Sequence, residues 1–162
     1  NLVTRSSFNF NQGTLITNED KIMENPLVSG IALDRNQARI SLFGVIDRPG
    51  IASDIFQALS EANINVDMIV QTVGNKGNNS QDLTNVAFTV SREQLFQVKE
   101  ALKQFEDRNE LQGVEIDDDI AKVSIVGIGM KSNAGVASTA FSAMAKENIN
   151  IMMISTSEIK IS

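Results

Sequence analysis

The sequence predicts an α+β fold made of two tandem copies of one βαββαβ module, each with an antiparallel sheet and its helices on one face. Three observations predict this fold. Residues 30–44 return as residues 113–127 with five identities in fifteen positions, and residues 50–69 return as residues 135–154 with ten identities in twenty. Apolar residues within a copy alternate or recur at helical spacing, and Gly, Asn and Pro stand where the spacing changes. Such self-similarity is typical of a duplicated module.

The first half of the first copy has the pattern of a strand, a loop and a helix. Residues 38–44 alternate between apolar and polar side chains, which predicts a strand, and a loop follows over residues 45–50. From Ile51 the apolar residues recur every three or four positions and predict a helix of about three turns. Asn63 tolerates the left-handed backbone of a helix end, so we expect this helix to stop there.

The second half of the first copy has the pattern of a hairpin and a second helix. Residues 64–73 and 84–90 are rich in β-forming residues and flank a polar loop. Ser91 opens a capping-box pattern before a helix predicted over residues 92–108. The side chains that we expect to face the core from this helix are Leu95, Phe96, Val98, Leu102 and Phe105. A strand over residues 113–117 completes the order of a ferredoxin-like module.

The second copy repeats β-α-β and starts another strand at Glu158, but the sequence ends before a second helix. We therefore expect residues 27–109 to form the first domain and residues 110–162 to form the second, with its C-terminal helix missing. Residues 1–26 are expected to be a linker. Because the sequence begins with Asn and ends inside a β-patterned run, we expect a fragment or one chain of a larger assembly. The three aspartates at residues 117–119 lack the spacing of a calcium loop and are interpreted as a solvated turn.

The composition excludes several classes of function. The 162 residues carry 20 acidic and 14 basic side chains, for a net charge of −6, and include no Cys, His, Trp or Tyr. Thiol and imidazole catalysis and a Cys/His zinc site are therefore excluded, and nucleic-acid binding is disfavoured because cations and stacking aromatics are few. No apolar run reaches the roughly 18–20 residues of a membrane span, and no signal sequence is recognisable, so we expect a cytoplasmic protein.

The most informative loop is residues 47–50, Asp-Arg-Pro-Gly, between a predicted strand and a predicted helix. Pro49 fixes its φ angle, Gly50 permits a close approach to the backbone, and the amides of residues 50–52 lie in an uncapped first turn. Such amides and the helix dipole attract an anion, for example a carboxylate. Asp47 can accept a hydrogen bond from an ammonium group, and together the two groups match the backbone of a free α-amino acid. The alternative is a plain turn with a helix start.

A second polar group follows the first helix. Asn65, Asp67 and Gln71 are spaced at i, i+2 and i+6, so we expect them on one face of a strand, opposite Val66. A polar strand face beside another copy of the module would line a pocket at an interface. Near the end of the chain, residues 155–158 place three hydroxyl groups before a carboxylate, and the alternative there is a polar strand or turn.

Four segments carry a resemblance to a known family. They are residues 44–52 (Gly-Val-Ile-Asp-Arg-Pro-Gly-Ile-Ala), 63–68 (Asn-Ile-Asn-Val-Asp-Met), 127–132 (Gly-Ile-Gly-Met-Lys-Ser) and 154–162 (Ile-Ser-Thr-Ser-Glu-Ile-Lys-Ile-Ser). Together they resemble the paired ACT domains of the aspartate kinase family, and the last two are specific to that family. Parts of residues 1–26 look like the end of the kinase domain and its link to the regulatory region.

The resemblance implies a regulatory function. Aspartate kinases make aspartyl phosphate from aspartate and ATP, the first step toward lysine, threonine and methionine. Threonine and lysine inhibit them by binding where ACT domains of two chains pair, which implies a homodimer and a kinase domain or α subunit as partners. Because the kinase motifs are absent, we expect no catalysis from this chain alone. ATP and Mg²⁺ are expected only at the kinase domain, with no cofactor or metal on this chain and no nucleic acid or membrane as partner.

Carried over by motif, the resemblance implies effector-binding residues in both copies. In the first copy they are Asp47, Arg48, Pro49, Gly50, Ile51, Ala52, Asn65, Val66, Asp67 and Gln71. In the second copy they are Val136, Ala137, Asn150, Ile151 and Ser157. A bound amino acid would fix the orientation of two modules and favour an inactive kinase. The alternative is a dimerisation or stabilising subunit that works without a ligand, whereas an RNA-binding ferredoxin-like domain is disfavoured by the net charge.

Overall fold

The computed structural model describes residues 2–4, 14–16, 28–73, 82–127 and 135–162. This part of the chain contains seven strands and three α-helices. In chain order they are β1 (Leu2–Thr4), β2 (Thr14–Ile16), β3 (Gly30–Ile46), α1 (Ile51–Glu61), β4 (Ile69–Val73), β5 (Leu83–Ser91), α2 (Leu95–Asp107), β6 (Gly113–Val126), α3 (Val136–Lys146) and β7 (Lys160–Ile161). A 3₁₀ turn, Arg92–Gln94, directly precedes α2.

The described residues cluster into two compact units. The larger unit is formed by residues 32–124, 153–155 and 162, and the smaller one by the described parts of residues 1–31, 125–152 and 156–161. The domain boundaries expected from the sequence, after residues 26 and 109, stay a prediction. Of the expected linker, only residues 2–4 and 14–16 lie among the described residues.

The larger unit contains a sheet with the strand order β4-β5-β3-β6. β5 pairs antiparallel with both β4 and β3. The N–H of Gln112 donates to the carbonyl of Phe43 at 2.8 Å, and the N–H of Ile46 donates to the carbonyl of Glu110 at 2.9 Å, so the segment that enters β6 runs antiparallel to β3. In the sequence, α1 connects β3 to β4 and α2 connects β5 to β6, so this unit has the predicted ferredoxin-like βαββαβ order.

The core of the larger unit is formed by α1, α2 and the central strands. The side chains that the two helices bury are Ile51, Ile55, Leu59, Val98, Leu102 and Phe105. Fully burying a side chain of this kind contributes about 1.5–3 kcal/mol relative to leaving it exposed. The prediction that Phe96 faces the core is wrong, because Phe96 is 72% exposed. It follows Leu95 directly, and one step along a helix turns a side chain by about 100° away from the buried stripe.

All three helices end with the same backbone motif. Asn63, Asn109 and Asn148 follow α1, α2 and α3 with φ angles of 55°, 54° and 56°. Each Asn N–H donates to the carbonyl three residues earlier, and the next N–H donates to the carbonyl five residues earlier, as from Ile64 to Leu59 at 2.9 Å. These two bonds define the Schellman motif. The predicted end of α1 at Asn63 is therefore confirmed.

The strands differ from their predicted bounds in several places. β3 begins at residue 30 instead of 38, and β4 begins at residue 69 instead of 64. The N–H of Asp67 donates to the carbonyl of Thr89 and the N–H of Thr89 donates to the carbonyl of Met68, both at 3.0 Å, so pairing with β5 starts just before β4. The expected turn over residues 117–119 lies inside β6, which continues to residue 126. The strand expected from Glu158 is limited to the two residues of β7.

The capping box predicted at Ser91 is wrong. The Ser91 side chain makes no capping hydrogen bond, and its Oγ accepts one from Asn36 Nδ2 at 3.0 Å. The Nε2 of Gln94 donates instead to the carbonyl of Asn63 at 3.0 Å. Both polar side chains therefore hydrogen-bond to residues of other elements, and a local sequence pattern cannot predict such contacts.

The smaller unit contains short strand pairs and α3. β1 pairs antiparallel with β2, and the last two residues of β6 pair antiparallel with β7. The N–H of Ser29 donates to the carbonyl of Val126 at 2.7 Å, and the N–H of Gly127 donates to the carbonyl of Ile159 at 2.9 Å. Among the described residues, no helix is both long enough and apolar enough to cross a membrane.

Candidate functional site

The loop predicted to hold a ligand connects β3 to α1. Gly50 has a φ of 94°, which residues with a side chain rarely adopt, and its carbonyl accepts the first helical bond from the N–H of Asp54 at 2.9 Å. The N–H of Ile51 donates to the carbonyl of Arg48 at 3.2 Å, so the prediction of a free amide at Ile51 is wrong. The N–H groups of Gly50 and Ala52 have no acceptor within the described residues. Two of the three predicted amides are therefore available to an anion.

Arg48 is held by two carboxylates of its own chain. Its Nη2 lies 2.7 Å from Asp54 Oδ2 and 2.9 Å from Glu110 Oε1. The hydrogen bond to Glu110, followed by that to Asp54, raises the pKa of Arg48 above its ordinary value. The Glu110 side chain is 18% exposed and that of Asp54 is 48% exposed, so water screens the pair with Glu110 less. Arg48 therefore joins the loop to the first turn of α1 and to the segment after α2, while its predicted effector contact stays a prediction.

The other two loop residues are open to solvent. Asp47 and Pro49 are exposed, and the backbone N–H of Asp47 donates to the carbonyl of Asp82 at 2.9 Å. The backbone is thus fixed on this side while the Asp47 carboxylate faces water. An exposed carboxylate in the same loop as free helix-start amides offers complementary charges to a zwitterion.

The predicted polar face after α1 is present in part. Asn65, Asp67 and Gln71 are exposed and Val66 is half-buried, as the alternating pattern predicts. Ile69 lies between the last two and is 52% exposed, so the face also presents an apolar side chain. A ligand on this face would meet both amide groups and hydrocarbon.

Two side chains of this face have partners within the chain. The Asp67 carboxylate forms an ion pair with Lys122 of β6. Gln71 Nε2 donates to Thr84 Oγ1 at 3.2 Å, and Thr84 Oγ1 donates to the carbonyl of Thr72 at 2.8 Å. A ligand that binds Asp67 or Gln71 has to share or replace these bonds.

The candidate residues of the second copy lie in the smaller unit. Val136 is buried and Ala137 is half-buried in the first turn of α3, which follows Gly135 at a φ of 123°. Asn150 Nδ2 donates to Met152 Sδ at 3.2 Å. Ile151 is 38% exposed, and the N–H of Ser157 donates to the carbonyl of Lys160 at 2.8 Å. The pocket that these residues are predicted to share with those of the first copy stays a prediction.

Four further residues touch the candidate site residues and were not predicted from the sequence. They are Asp54 and Glu110 on Arg48, Lys122 on Asp67 and Thr84 on Gln71. Asp54 carries a usable signal, because acidic residues favour the first turn of a helix. Glu110 lies 62 positions from Arg48 and Lys122 lies 55 positions from Asp67, so only the folded chain brings these pairs together.

Comparison with known proteins identifies the family. The family model described as ACT domain matches residues 39–107, and a second model of the same description matches residues 123–162. The aspartokinase of Helicobacter pylori is 59% identical over 99% of this chain, and the match covers 39% of that protein. The chain thus spans about two fifths of the curated relatives that it matches.

Two solved structures extend the likeness to the fold. The regulatory subunit of aspartate kinase from Thermus thermophilus, solved ligand-free, is 41% identical with a TM-score of 0.74, covering 84% of this chain and 86% of that one. Aspartokinase III of E. coli, solved in complex with lysine and aspartate, is 25% identical with a TM-score of 0.64, covering 88% of this chain and 30% of that one. With its duplicated sequence, two ACT domain matches and the fold of a regulatory subunit, the chain belongs to the aspartate kinase family and corresponds to its regulatory ACT region.

Proposed function

We propose that this chain senses threonine, lysine or both and thereby inhibits the ATP-dependent phosphorylation of aspartate by an aspartate kinase. The observation that carries the proposal is the start of α1, where the N–H groups of Gly50 and Ala52 have no acceptor among the described residues and the Asp47 carboxylate is exposed. The complex of E. coli aspartokinase III with lysine and aspartate supports an amino acid as effector.

The recognition chemistry follows from the charges of a free amino acid. Its carboxylate accepts hydrogen bonds from the Gly50 and Ala52 amides, where the helix dipole also favours a negative charge. Its ammonium group donates to the Asp47 carboxylate. Hydrogen bonds to charged groups contribute about 1.5–3 kcal/mol each. The side chain of the amino acid then contacts the paired ACT region of a second chain.

Inhibition requires the effector to bind one arrangement of the kinase more tightly than another. Couplings of this kind are typically about 1–3 kcal/mol, or roughly 5- to 150-fold in affinity. In this proposal the chain contributes no catalytic group. ATP and Mg²⁺ bind only at the kinase domain, and two copies of the ACT region pair to complete each effector site.

Thermal melting with added amino acids tests the proposal. At a hundredfold excess over Kd a ligand stabilises a protein by about 2.7 kcal/mol, which for a chain of this size raises Tm by roughly 5–10 °C. We expect such a rise with threonine, lysine or the pair, and none with glycine. Asp47→Asn should abolish most of the rise, whereas Asp107→Asn, at an exposed aspartate of α2, should preserve it. An unchanged Tm of the wild-type chain at 10 mM of both amino acids contradicts the proposal.

A second candidate function is a subunit that stabilises the kinase without binding a ligand. The observation that favours it is that Arg48, Asp67 and Gln71 already have partners within the chain. Under this alternative the chain raises the stability of the kinase complex equally with and without amino acids. Kinase inhibition by threonine and lysine would then be the same in Asp47→Asn and in the wild type.

A further inference from the structure

Glu110 lies where α2, β3 and β6 meet. Its N–H donates to the carbonyl of Phe105 at the end of α2, and its carbonyl accepts from the N–H of Ile46, the last residue of β3, both at 2.9 Å. Two residues later, the N–H of Gln112 donates to the carbonyl of Phe43 at 2.8 Å. The backbone around Glu110 is therefore hydrogen-bonded to the end of β3, where the loop of residues 47–50 begins.

Side chains also contact the end of β3. Gly44 has a φ of 57°, its N–H donates to Asn85 Oδ1 at 2.9 Å, and a Cβ at this position would collide with the side chain of Gln112. The strand register shifts between Leu42 and Val45 at the same place. Residues 110–112 are thus hydrogen-bonded to the irregular end of β3, which directly precedes Asp47 in the sequence.

The Glu110 side chain continues this link to the loop itself. Its Oε1 lies 2.9 Å from Arg48 Nη2, and its Oε2 is buried without a hydrogen-bond partner among the described residues. The Glu110 side chain is less exposed than that of Asp54, so water screens the ion pair between Arg48 and Glu110 less than the pair with Asp54. The same guanidinium nitrogen contacts Asp54 at 2.7 Å, in the turn that contains the Ala52 amide.

We propose that Glu110 is a positioning residue for the loop of residues 47–52, acting through Arg48, and that it keeps the Gly50 and Ala52 amides in the conformation that receives the amino acid carboxylate. This inference rests on the proposed function. It assigns to Arg48 an internal role, since its guanidinium lies between two carboxylates of the chain. Loss of the Glu110 charge leaves the loop free to adopt other conformations, and the ligand then has to order it on binding.

Hydrogen exchange of the 162-residue chain without ligand tests the positioning directly. In Glu110→Gln we expect the N–H groups of Ile51 and Asp54, which donate to the carbonyls of Arg48 and Gly50, to exchange about 3- to 10-fold faster than in the wild type. The matched control is Glu106→Gln, because Glu106 is exposed on the same helix end and its side chain has no hydrogen bond or ion pair with the described residues. Equal exchange in the two variants overturns the inference.

Ligand binding gives the second measurement. Calorimetric titration with threonine and with lysine should show a Kd about 2- to 10-fold weaker in Glu110→Gln than in Glu106→Gln, for whichever amino acid the wild type binds. If the wild type binds neither, the proposed function fails, while faster exchange in Glu110→Gln still supports the positioning role. A Kd unchanged by Glu110→Gln overturns the positioning role and leaves the proposed function intact.

A double-mutant cycle shows whether Glu110 acts through Arg48. Arg48→Met removes both ion pairs, so adding Glu110→Gln to it should change the exchange of the Ile51 and Asp54 amides less than twofold. If Glu110→Gln does not fold, Arg48→Met alone tests the ion pair between Arg48 and Glu110 by the same exchange measurement. Additive effects of the two substitutions would show that Glu110 works by another route and contradict the inference.

Discussion

The first helices of the two copies begin and end with the same backbone conformations, but they are buried to different extents. Gly50 and Gly135 begin α1 and α3 at positive φ, and Asn63 and Asn148 end them in Schellman motifs. Yet α1 buries three apolar side chains, whereas Val136 is the only buried one among the eleven described residues of α3. The helix ends depend on Gly and Asn residues that both copies retain, whereas burial depends on the side chains along the helix, which differ between the copies.

The residues along the two helices explain the difference. Ile55 and Leu59 of α1 are replaced at the equivalent positions of α3 by Ala140 and Met144, which are half-buried. The exposed apolar side chains that follow α3 are Ile149, Ile151, Met152 and Ile154. Among the described residues the first copy therefore has the larger buried core, and it also holds the loop with the Arg48 ion pairs.

The unequal burial of α1 and α3 predicts unequal losses of stability when a core side chain of each helix is shortened. Leu59→Ala should lower the free energy of unfolding by about 2–5 kcal/mol, because it leaves a cavity beneath a fully buried position. Met144→Ala should lower it by about 1 kcal/mol, because that side chain is half-buried. Urea unfolding followed by circular dichroism measures both, and equal losses would contradict the unequal burial of α1 and α3.

The next effect concerns the glycines of the repeated strand. Gly44→Ala should cost about 1–3 kcal/mol, since Gly44 combines a positive φ with close contact to Gln112. Gly113→Ala is the matched control, because no atom lies within 4 Å of a Cβ added there. It should change the free energy of unfolding by no more than about 0.5 kcal/mol. A neutral Gly44→Ala in the same urea experiment would show that the end of β3 adapts.

Substitutions of the asparagines that end α1 and α3 should have smaller effects on stability. Asn63→Ala should cost about 0.5–1 kcal/mol, because alanine tolerates the left-handed backbone less well than asparagine. Asn148→Ala should shift the global unfolding midpoint less, since α3 contributes less to the core. Asn63→Gly should be neutral or stabilising. A loss in Asn63→Gly as large as in Asn63→Ala would point to a side-chain contact instead of backbone strain.

The smallest effect is on proton binding at the start of β3. The N–H of Asn36 donates to Asp34 at 2.9 Å and Gln37 Nε2 donates at 2.8 Å, and these bonds lower the pKa of Asp34 below its ordinary 3.8. Because the folded state favours the carboxylate, the stabilisation is present above the ordinary pKa and is lost as the pH falls through the lowered one. The equivalent Asp117 accepts the N–H of Asp119 at 3.1 Å.

An NMR titration measures this effect. The Asp34 carboxyl should titrate below 3.8, and Gln37→Met should move its pKa back toward that value because one donor is lost. An Asp34 pKa at its ordinary value in the wild-type chain would show that these hydrogen bonds do not persist in solution.

Local chemistry made much of the first copy predictable. The apolar stripe from Ile51 and the left-handed Asn63 define α1 within a few residues, and the repeat transfers the same interpretation to α3. The continuous β6 was not predictable, because three aspartates in a row at residues 117–119 are typical of a solvated turn, whereas here they lie in a strand. Ser91 likewise has the local pattern of a cap, and only the folded chain brings Asn36 to its hydroxyl group.

The candidate site was predictable where it depends on backbone and unpredictable where it depends on distant side chains. The helix-start amides follow from the order Pro49-Gly50, although the turn that takes the Ile51 N–H was missed. The partners of Arg48 and Asp67 required the tertiary structure, since Glu110 and Lys122 are more than fifty positions away in sequence. An ion pair of this kind leaves no periodic signal along the chain.

An NMR titration of the chain with threonine and lysine, singly and together, followed at the backbone amides, tests most directly whether the amino acid binds at the start of α1. We expect the largest saturable shifts at Gly50 and Ala52, with Asp47→Asn weakening the apparent affinity and Asp107→Asn leaving it unchanged. Saturable shifts elsewhere in the chain, with Gly50 and Ala52 unmoved at saturation, would contradict the proposed placement of the amino acid at the start of α1.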